Sequence, residues 1–347
     1  MTYRVLILYT NIRTIIEYIQ SMSRTQSDSA LISTDLTALY CQTFNKILMF
    51  NGRIKSINDL SIGDVIMGND STPKIVINKI KLYDLHTYEV KFKNGEIVIL
   101  NETNLVCLKK NENCQDVSIE NIKDDIFSKY SLPICFRYRH IELDPYIIGI
   151  WLGVGNLDKL KLSNKDSDVV MYLYNVLPLY NFTLESVDNI YYIRHIEDGF
   201  TFINFLEKNN LHVHKHIPHH YKANVIEIQL QILSGLVDAV GKLKDDSYLI
   251  NIESEELSSD ILFLARSLNI NAVCKHRTNQ NKTISLNGQG IHHLSLLCKA
   301  LPCTYSHQDN LVEAIHYLGK TDHWSIELDK GNTYVNDSFC LIKTIST

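Results

Sequence analysis

Five histidines crowd into the stretch from His212 to His220, at positions 212, 214, 216, 219 and 220. Imidazole is a good zinc ligand, and alternate residues of a strand project to one face, so this spacing could offer a metal several nitrogens. A second chemistry would come from Cys41, just ahead of the apolar run KILMF, because a cysteine thiolate is a competent nucleophile. A third is carried by Asp238, the one acid in the apolar stretch ILSGLVDAVG, since a carboxylate can hold a hard divalent cation such as magnesium. The similar stretch YIIGIWLGVG contains no acid.

The elements that would position these groups follow from composition and pattern. At 347 residues, 45% hydrophobic and 21% charged, the chain is too apolar to be disordered and long enough for about two or three compact units. A net charge of −5 excludes nucleic-acid binding by overall basicity, so any DNA contact must use a local basic surface. The eight cysteines (41, 107, 114, 135, 274, 298, 303 and 340) form no CxxC pair, which argues against a zinc ribbon and a disulfide framework and fits a reducing intracellular setting. The N-terminal VLILY is too short for a signal-peptide core or a membrane span.

Residues 1–40 read as a short strand, a helix around Thr14–Met22 and a polar linker, SMSRTQSDS. From Lys46 short alternating runs follow, with Asn51-Gly52 and Asn94-Gly95 as hairpin signals, so the region to about Cys135 reads as all-β. Between Pro145 and Leu301 one order of elements occurs twice. The first pass is a helix at Tyr146–Val154, strand LKLS, helix DSDVVMYLYNVL, strands FTLESV and IYYIRHI, and helix FTFINFLEK. The second is a helix at Ile226–Val240, strand SYLINIES, helix ELSSDILFLARSL, strands NAVCKHR and KTISLNG, and a helix at IHHLSLLCKAL. From His323 the tail returns to strand.

The segment NGRIKSINDLSIGDVIMGND, the helices YIIGIWLGVG and ILSGLVDAVG, the element KHIP inside HKHIPHH, and ELSSDILFLARSLNINAV occur in one order across about residues 45–345. Together they resemble inteins and mating-type switching endonucleases, in which a Hint self-splicing fold surrounds a LAGLIDADG homing endonuclease. The resemblance implies an α+β protein: an all-β Hint-like domain interrupted by a two-repeat αββαββα LAGLIDADG endonuclease-like domain. Its divisions would be an extension at 1–40, Hint-like parts at 41–135 and 303–347, and the endonuclease-like domain at 136–302 with repeats at about 140–209 and 222–301. HKHIPHH then reads as a linker element, with Pro218 setting the turn, rather than as a metal site.

In this family small residues let the two motif helices approach, and an acid at each C-terminal end holds divalent metal. Here Val154 and Val240 stand at those positions, and valine has no lone pair. Asp238 is a residual acid, matched by Leu152 in the first motif, and Asp158 lies past the first helix. The resemblance likewise places Tyr40 at the usual first splicing position with Cys41 one residue off, Asn101 and Asn104 where a Thr and a His assist, and Lys343 and Thr344 where His and Asn complete release. The expected protein is therefore degenerate in splicing and in cleavage, needing no cofactor, with Mg2+ only if nuclease activity remains. An active endonuclease using displaced acids and a non-catalytic interaction protein are the alternatives.

Lys159, Lys161, Lys242, Lys244, Lys275, Arg277 and Lys282 fall on or beside strands that form a DNA-binding saddle in such proteins, with His276 among them and Asn279, Gln280 and Asn287 as base readers. Double-stranded DNA is the expected partner. A monomer with an internal pseudo-two-fold repeat, no membrane contact, and an intracellular location (nuclear if the source is eukaryotic) complete the expectation.

Overall fold

Both Asn-Gly pairs make hairpins. In the computed structural model, which describes residues 46–110, 113–122, 126–156, 159–160, 167–188, 190–196, 201–276, 282–302 and 310–344, Gly52 and Gly95 have φ of 80° and 83°. That left-handed backbone lets Met49 N–H donate to Arg53 O at 2.8 Å and Phe92 N–H to Glu96 O at 2.9 Å. The expected helix at Thr14–Met22, with Cys41, lies outside the described residues.

The chain divides into two compact units, residues 1–131 with 310–347, and residues 132–309. The first unit is dominated by strand. Pro73–Phe92, a strand of 20 residues, pairs with Val65–Met67, with Ile97–Asn101 and, through four register shifts, with the 17-residue strand Val312–Leu328. A second sheet places Asn104–Lys110 between Asn113–Ser118 and Leu341–Thr344, and Thr333–Val335 borders the latter. Their apolar faces bury Ile66, Val90, Phe92, Leu100, Leu108 and Ile342. Two boundaries differ from the sequence expectation. The segment seen as TYEVKF is the end of a strand that begins at Pro73, and the C-terminal strand begins at Val312 rather than near His323. The added portions are exposed or half-exposed on most residues and so carry little of the alternation that marks a half-buried strand.

The second unit repeats one motif. Helix Pro145–Val154 leads to strands Gly155–Asn156 and Lys159–Leu160, helix Ser167–Val176, and strands Phe182–Val187 and Ile190–His195. Helix Ile226–Val240 leads to strands Lys242–Lys244 and Ser247–Ile252, helix Glu255–Ser267, and strands Asn271–His276 and Lys282–Asn287. Each sheet has four strands, and within each repeat the order is first, second, fourth, third. The helices start where side chains satisfy their free amides: Asp144 accepts from Ile147 N–H, Ser254 from Leu257 N–H, and Thr201 with Asn204 forms a capping box.

The last expected helix does not form. IHHLSLLCKAL begins in a short 3₁₀ turn, Gln289–His293, and continues irregularly. Its amides are taken by side chains of the helix Ile226–Val240: Ser295 N–H donates to Ser234 Oγ at 3.0 Å and Leu297 N–H to Asp238 Oδ2 at 2.7 Å. The buried Asp238 carboxylate offers the Leu297 amide a stronger acceptor than a neutral helical carbonyl. No described helix is long and apolar enough to cross a membrane.

Candidate functional site

Close approach of Pro145–Val154 and Ile226–Val240 builds the site. A Cβ added at Gly149 would stand 2.2 Å from Ile232 O, and one added at Gly235 would stand 2.2 Å from Tyr146 O. The contacts are reciprocal, since each target carbonyl belongs to the residue three before the opposite glycine. A Cβ at Gly153 would meet Ala239 Cβ at 2.6 Å and Val240 Cγ1 at 3.2 Å, so the C-terminal ends of the helices lie side by side. Val154 and Val240, each five residues after its glycine, are partly buried there against the core.

Asp238 does not face this junction as a free acid. It is 1% exposed, and its carboxylate accepts from Tyr146 Oη at 2.8 Å, Leu297 N–H at 2.7 Å, and Cys298 N–H and Sγ at 3.3 Å each. Leu152, its counterpart in the first motif, is equally buried in apolar surroundings. Burial and the adjacent Asp238 charge push the Tyr146 phenol far above its usual range, which keeps it a donor.

Two lysines that sequence reasoning passed over hold the helix ends. Lys215 Nζ donates to Trp151 O at 3.3 Å and Leu152 O at 2.9 Å. Lys299 Nζ donates to Val237 O at 3.0 Å and, in a shorter contact, to Asp238 O. The acceptors are equivalent, two and three residues after Gly149 and after Gly235. A cation at a helix C-terminus is favoured by the dipole and satisfies carbonyls the helix leaves open. Lys215 also borders a cavity of about 750 Å3 with Leu152, Gly153, His214, Asn251, Glu253 and Ser254 among its walls. Burial pulls the Lys215 ammonium down to about 8, with Glu253 opposing the shift.

Residues 216–302 match the family model for homing endonuclease. This segment is homing endonuclease-like. In part of its length the chain is similar in structure to I-DmoI in complex with DNA and Mn, at 14% identity and a TM-score of 0.33, covering 46% of this chain and 97% of that one. It is also similar to the gp41-1 intein, at 16% identity and a TM-score of 0.19 over 28% of this chain and 65% of that one. The MchDnaB-1 intein is similar at 18% identity and a TM-score of 0.18 over 21% and 55%. No curated protein sequence matches the chain.

The homing endonuclease-like segment contains most of the basic positions singled out from the sequence. Lys242 and Lys244 are exposed on the edge strand of the four-stranded sheet of the second repeat. Their strand turns at Asp245 and Asp246, both with positive φ (47° and 59°), as a two-residue hairpin loop requires. Lys282 is instead mostly buried in a contact with Glu255. Lys275 lies on strand Asn271–His276, while Arg277, Asn279 and Gln280 lie outside the described residues. In the first repeat Lys159 is on a strand, and Lys161 and Asp158 lie outside the described residues. Asn287 corrects one expectation: it is 7% exposed, accepts from Asn271 Nδ2 at 2.7 Å, and has no open edge for reading a base.

The histidine stretch is not a strand, so its residues do not project alternately to one face. His220 Nε2 pairs with Glu142 at 3.3 Å, and among the described residues no group of three His, Cys, Asp or Glu is placed to hold a metal. Pro218 leads into the short helix His219–Lys222.

In the first unit, Asn104 and Thr344, 240 positions apart in sequence, are cross-strand partners. Asn101 Oδ1 accepts from Thr103 N–H at 2.9 Å and Oγ1 at 2.7 Å, and Asn104 Oδ1 accepts from Asn101 N–H at 3.2 Å, so both side chains shape the turn between their strands. Lys343 Nζ pairs with Asp116 at 2.7 Å, and Thr344 Oγ1 donates to Ile326 O at 3.2 Å. A buried polar cluster that sequence reasoning missed lies on the long ribbon: Thr87 Oγ1 is 2.8 Å from Thr321 Oγ1 and 2.6 Å from His323 Nε2. Burial lowers the His323 imidazole to about 4.

Proposed function

We propose that the chain is an intein-derived, homing endonuclease-like protein that binds double-stranded DNA through its two-repeat unit but has lost both strand cleavage and splicing. One observation carries this reading: the side chains five residues beyond the paired glycines, at the adjoining helix ends, are Val154 and Val240. A divalent ion such as Mg2+ does not fit these residues, because it requires oxygen ligands and neither valine has one. Asp238 supports the same reading, since its oxygens already accept from Tyr146, Leu297 and Cys298. Moving it to a metal would strand buried donors.

DNA contact would come from strand lysines such as Lys242 and Lys244, whose phosphate contacts give sequence-independent, salt-sensitive affinity. The protein would act as a monomer, its two repeats standing in for the halves of a dimer. The first unit is read as a Hint-like β domain whose Asn101, Asn104, Lys343 and Thr344 now serve turns, pairing and an exposed ion pair rather than acyl transfer.

Incubation of supercoiled plasmid DNA with the protein and Mg2+ tests the reading. No nicked or linear product is expected, and metal-dependent nicking by the unmodified chain would overturn it. Intact mass of freshly expressed protein tests the splicing half, where a full-length chain is expected and loss of the first forty residues would contradict the reading.

A further inference from the structure

The second helices of the two repeats, Ser167–Val176 and Glu255–Ser267, are equivalent. Each leads to its strand through an asparagine with left-handed backbone, Asn181 at φ 64° and Asn269 at φ 57°. Counting back from these asparagines matches Val169, Leu173 and Leu177 with Leu257, Ile261 and Ala265, and all six are buried. The outer faces differ. In the second repeat, residues 132–139 lie across the helix: Ile134 N–H donates to Ser267 O at 2.8 Å, and the Phe136 ring packs on Phe263 with centroids 6.0 Å apart. This strap alternates like a strand, with Ile134 and Phe136 buried and Pro133, Cys135 and Arg137 exposed.

The matching face of the first repeat is bare. Leu179 stands two residues before its asparagine, as Ser267 does, yet it is 80% exposed while Ser267 is 0% exposed. Met171 is 59% and Tyr174 43% exposed, and Asn175 and Pro178 beside them are exposed as well. These five positions form one stripe at helical spacing that runs on into the 3₁₀ turn Leu177–Tyr180. A stripe of large apolar side chains left in water marks an interaction surface more than a scatter of single residues does. Residues 167–180 contain no lysine or arginine and one acid, Asp168, so this face offers phosphates no cation.

We infer that the Met171, Tyr174 and Leu179 face is a docking site for an extended segment of a partner protein that presents apolar side chains at alternate residues. The occupant is read from the covered helix, where the chain itself shows what seals this face. One apolar side chain of the partner takes the place of Ile134 beside Leu179, and its backbone N–H donates to Leu179 O as Ile134 N–H donates to Ser267 O. The second takes the place of Phe136. Asn175 stands where the second repeat has Phe263, so that side chain rests on the Tyr174 ring instead. The strap of this chain is not the occupant, since Ile134 and Phe136 are already buried against the other helix. The inference is independent of the DNA binding proposed above.

The probe is a fluorescent peptide with the sequence of residues 132–140 carrying Cys135→Ser, titrated with the full chain and read by anisotropy. Saturable binding is expected, and Leu179→Glu and Met171→Glu should each weaken it roughly tenfold or more. Both residues are mostly exposed, so the thermal midpoints of the variants should match that of the unmodified chain. A peptide with Ile134→Asp and Phe136→Asp should not bind. Binding that neither helix substitution weakens would mean that the peptide displaces the strap from Phe263, and would overturn the inference. So would an absence of binding with the protein at about 1 mM. Sedimentation velocity should show a monomer, and a dimer that Leu179→Glu dissolves would assign the face to a second copy and contradict the partner-segment reading.

Discussion

Gly149 and Gly235 lie so close that a methyl group on either would sit 2.2 Å from a backbone carbonyl oxygen of the opposite helix. Alanine at either position therefore forces the helices apart in a core that has no slack. Gly149→Ala and Gly235→Ala should each cost about 1–3 kcal/mol, the usual range for overpacking. Thermal unfolding checks this, and a change in neither midpoint would mean that the helices are not in contact at these residues.

The carboxylate of Asp238 is the acceptor for Tyr146 and for amides of the segment after the 3₁₀ turn. Asp238→Ala leaves those buried donors unmet, at about 1–3 kcal/mol for each group. Hydrogen exchange should show the amides of Leu297 and Cys298 losing protection before the rest of the unit. Unchanged exchange there would refute the structural role given to this acid.

His323 makes the first unit sensitive to acid. Burial lowers its folded value to about 4 from 6.5, so between these values the unfolded chain binds a proton that the folded chain refuses. The stability from keeping it neutral is complete above pH 6.5 and is lost as pH falls toward 4, on the order of 3 kcal/mol at 1.36 kcal/mol per unit. Urea unfolding at pH 7 and pH 4.5 should show this loss, and His323→Gln should reduce the difference. An equal loss in that variant would assign acid sensitivity to other groups.

Lys242 and Lys244 are exposed on an edge strand. If they contact phosphates, replacing both by Ala should weaken DNA binding similarly across sequences and reduce the salt slope by about 1 for each lysine. A slope identical to that of the unmodified protein would remove them from the interface.

The parts legible in the sequence are those set by local pattern. Asn51-Gly52 and Asn94-Gly95 need positive φ, and the apolar helix Ile226–Val240 ends where the small and apolar pattern ends at Gly241. The long ribbon was seen only at its half-buried ends, because most of its middle is exposed or half-exposed and shows no clear alternation. IHHLSLLCKAL has a helical pattern, yet Asp238 and Ser234, some sixty residues earlier, capture its amides. Lys215 and Lys299 gain their roles only when folding brings them to helix-end carbonyls, which no spacing in the chain reveals. The Thr87, Thr321 and His323 cluster likewise depends on pairing across more than 230 residues.

The central claim is that Val154 and Val240 leave the paired helix ends without ligands for a divalent ion. Manganese titration followed by electron paramagnetic resonance, with the unmodified chain beside Val154→Asp/Val240→Asp, tests it most directly because no DNA target need be known. The account predicts a spectrum of free aqueous manganese for the unmodified chain and bound ion for the double variant. Stoichiometric binding by the unmodified chain that is abolished by Asp238→Asn would contradict it.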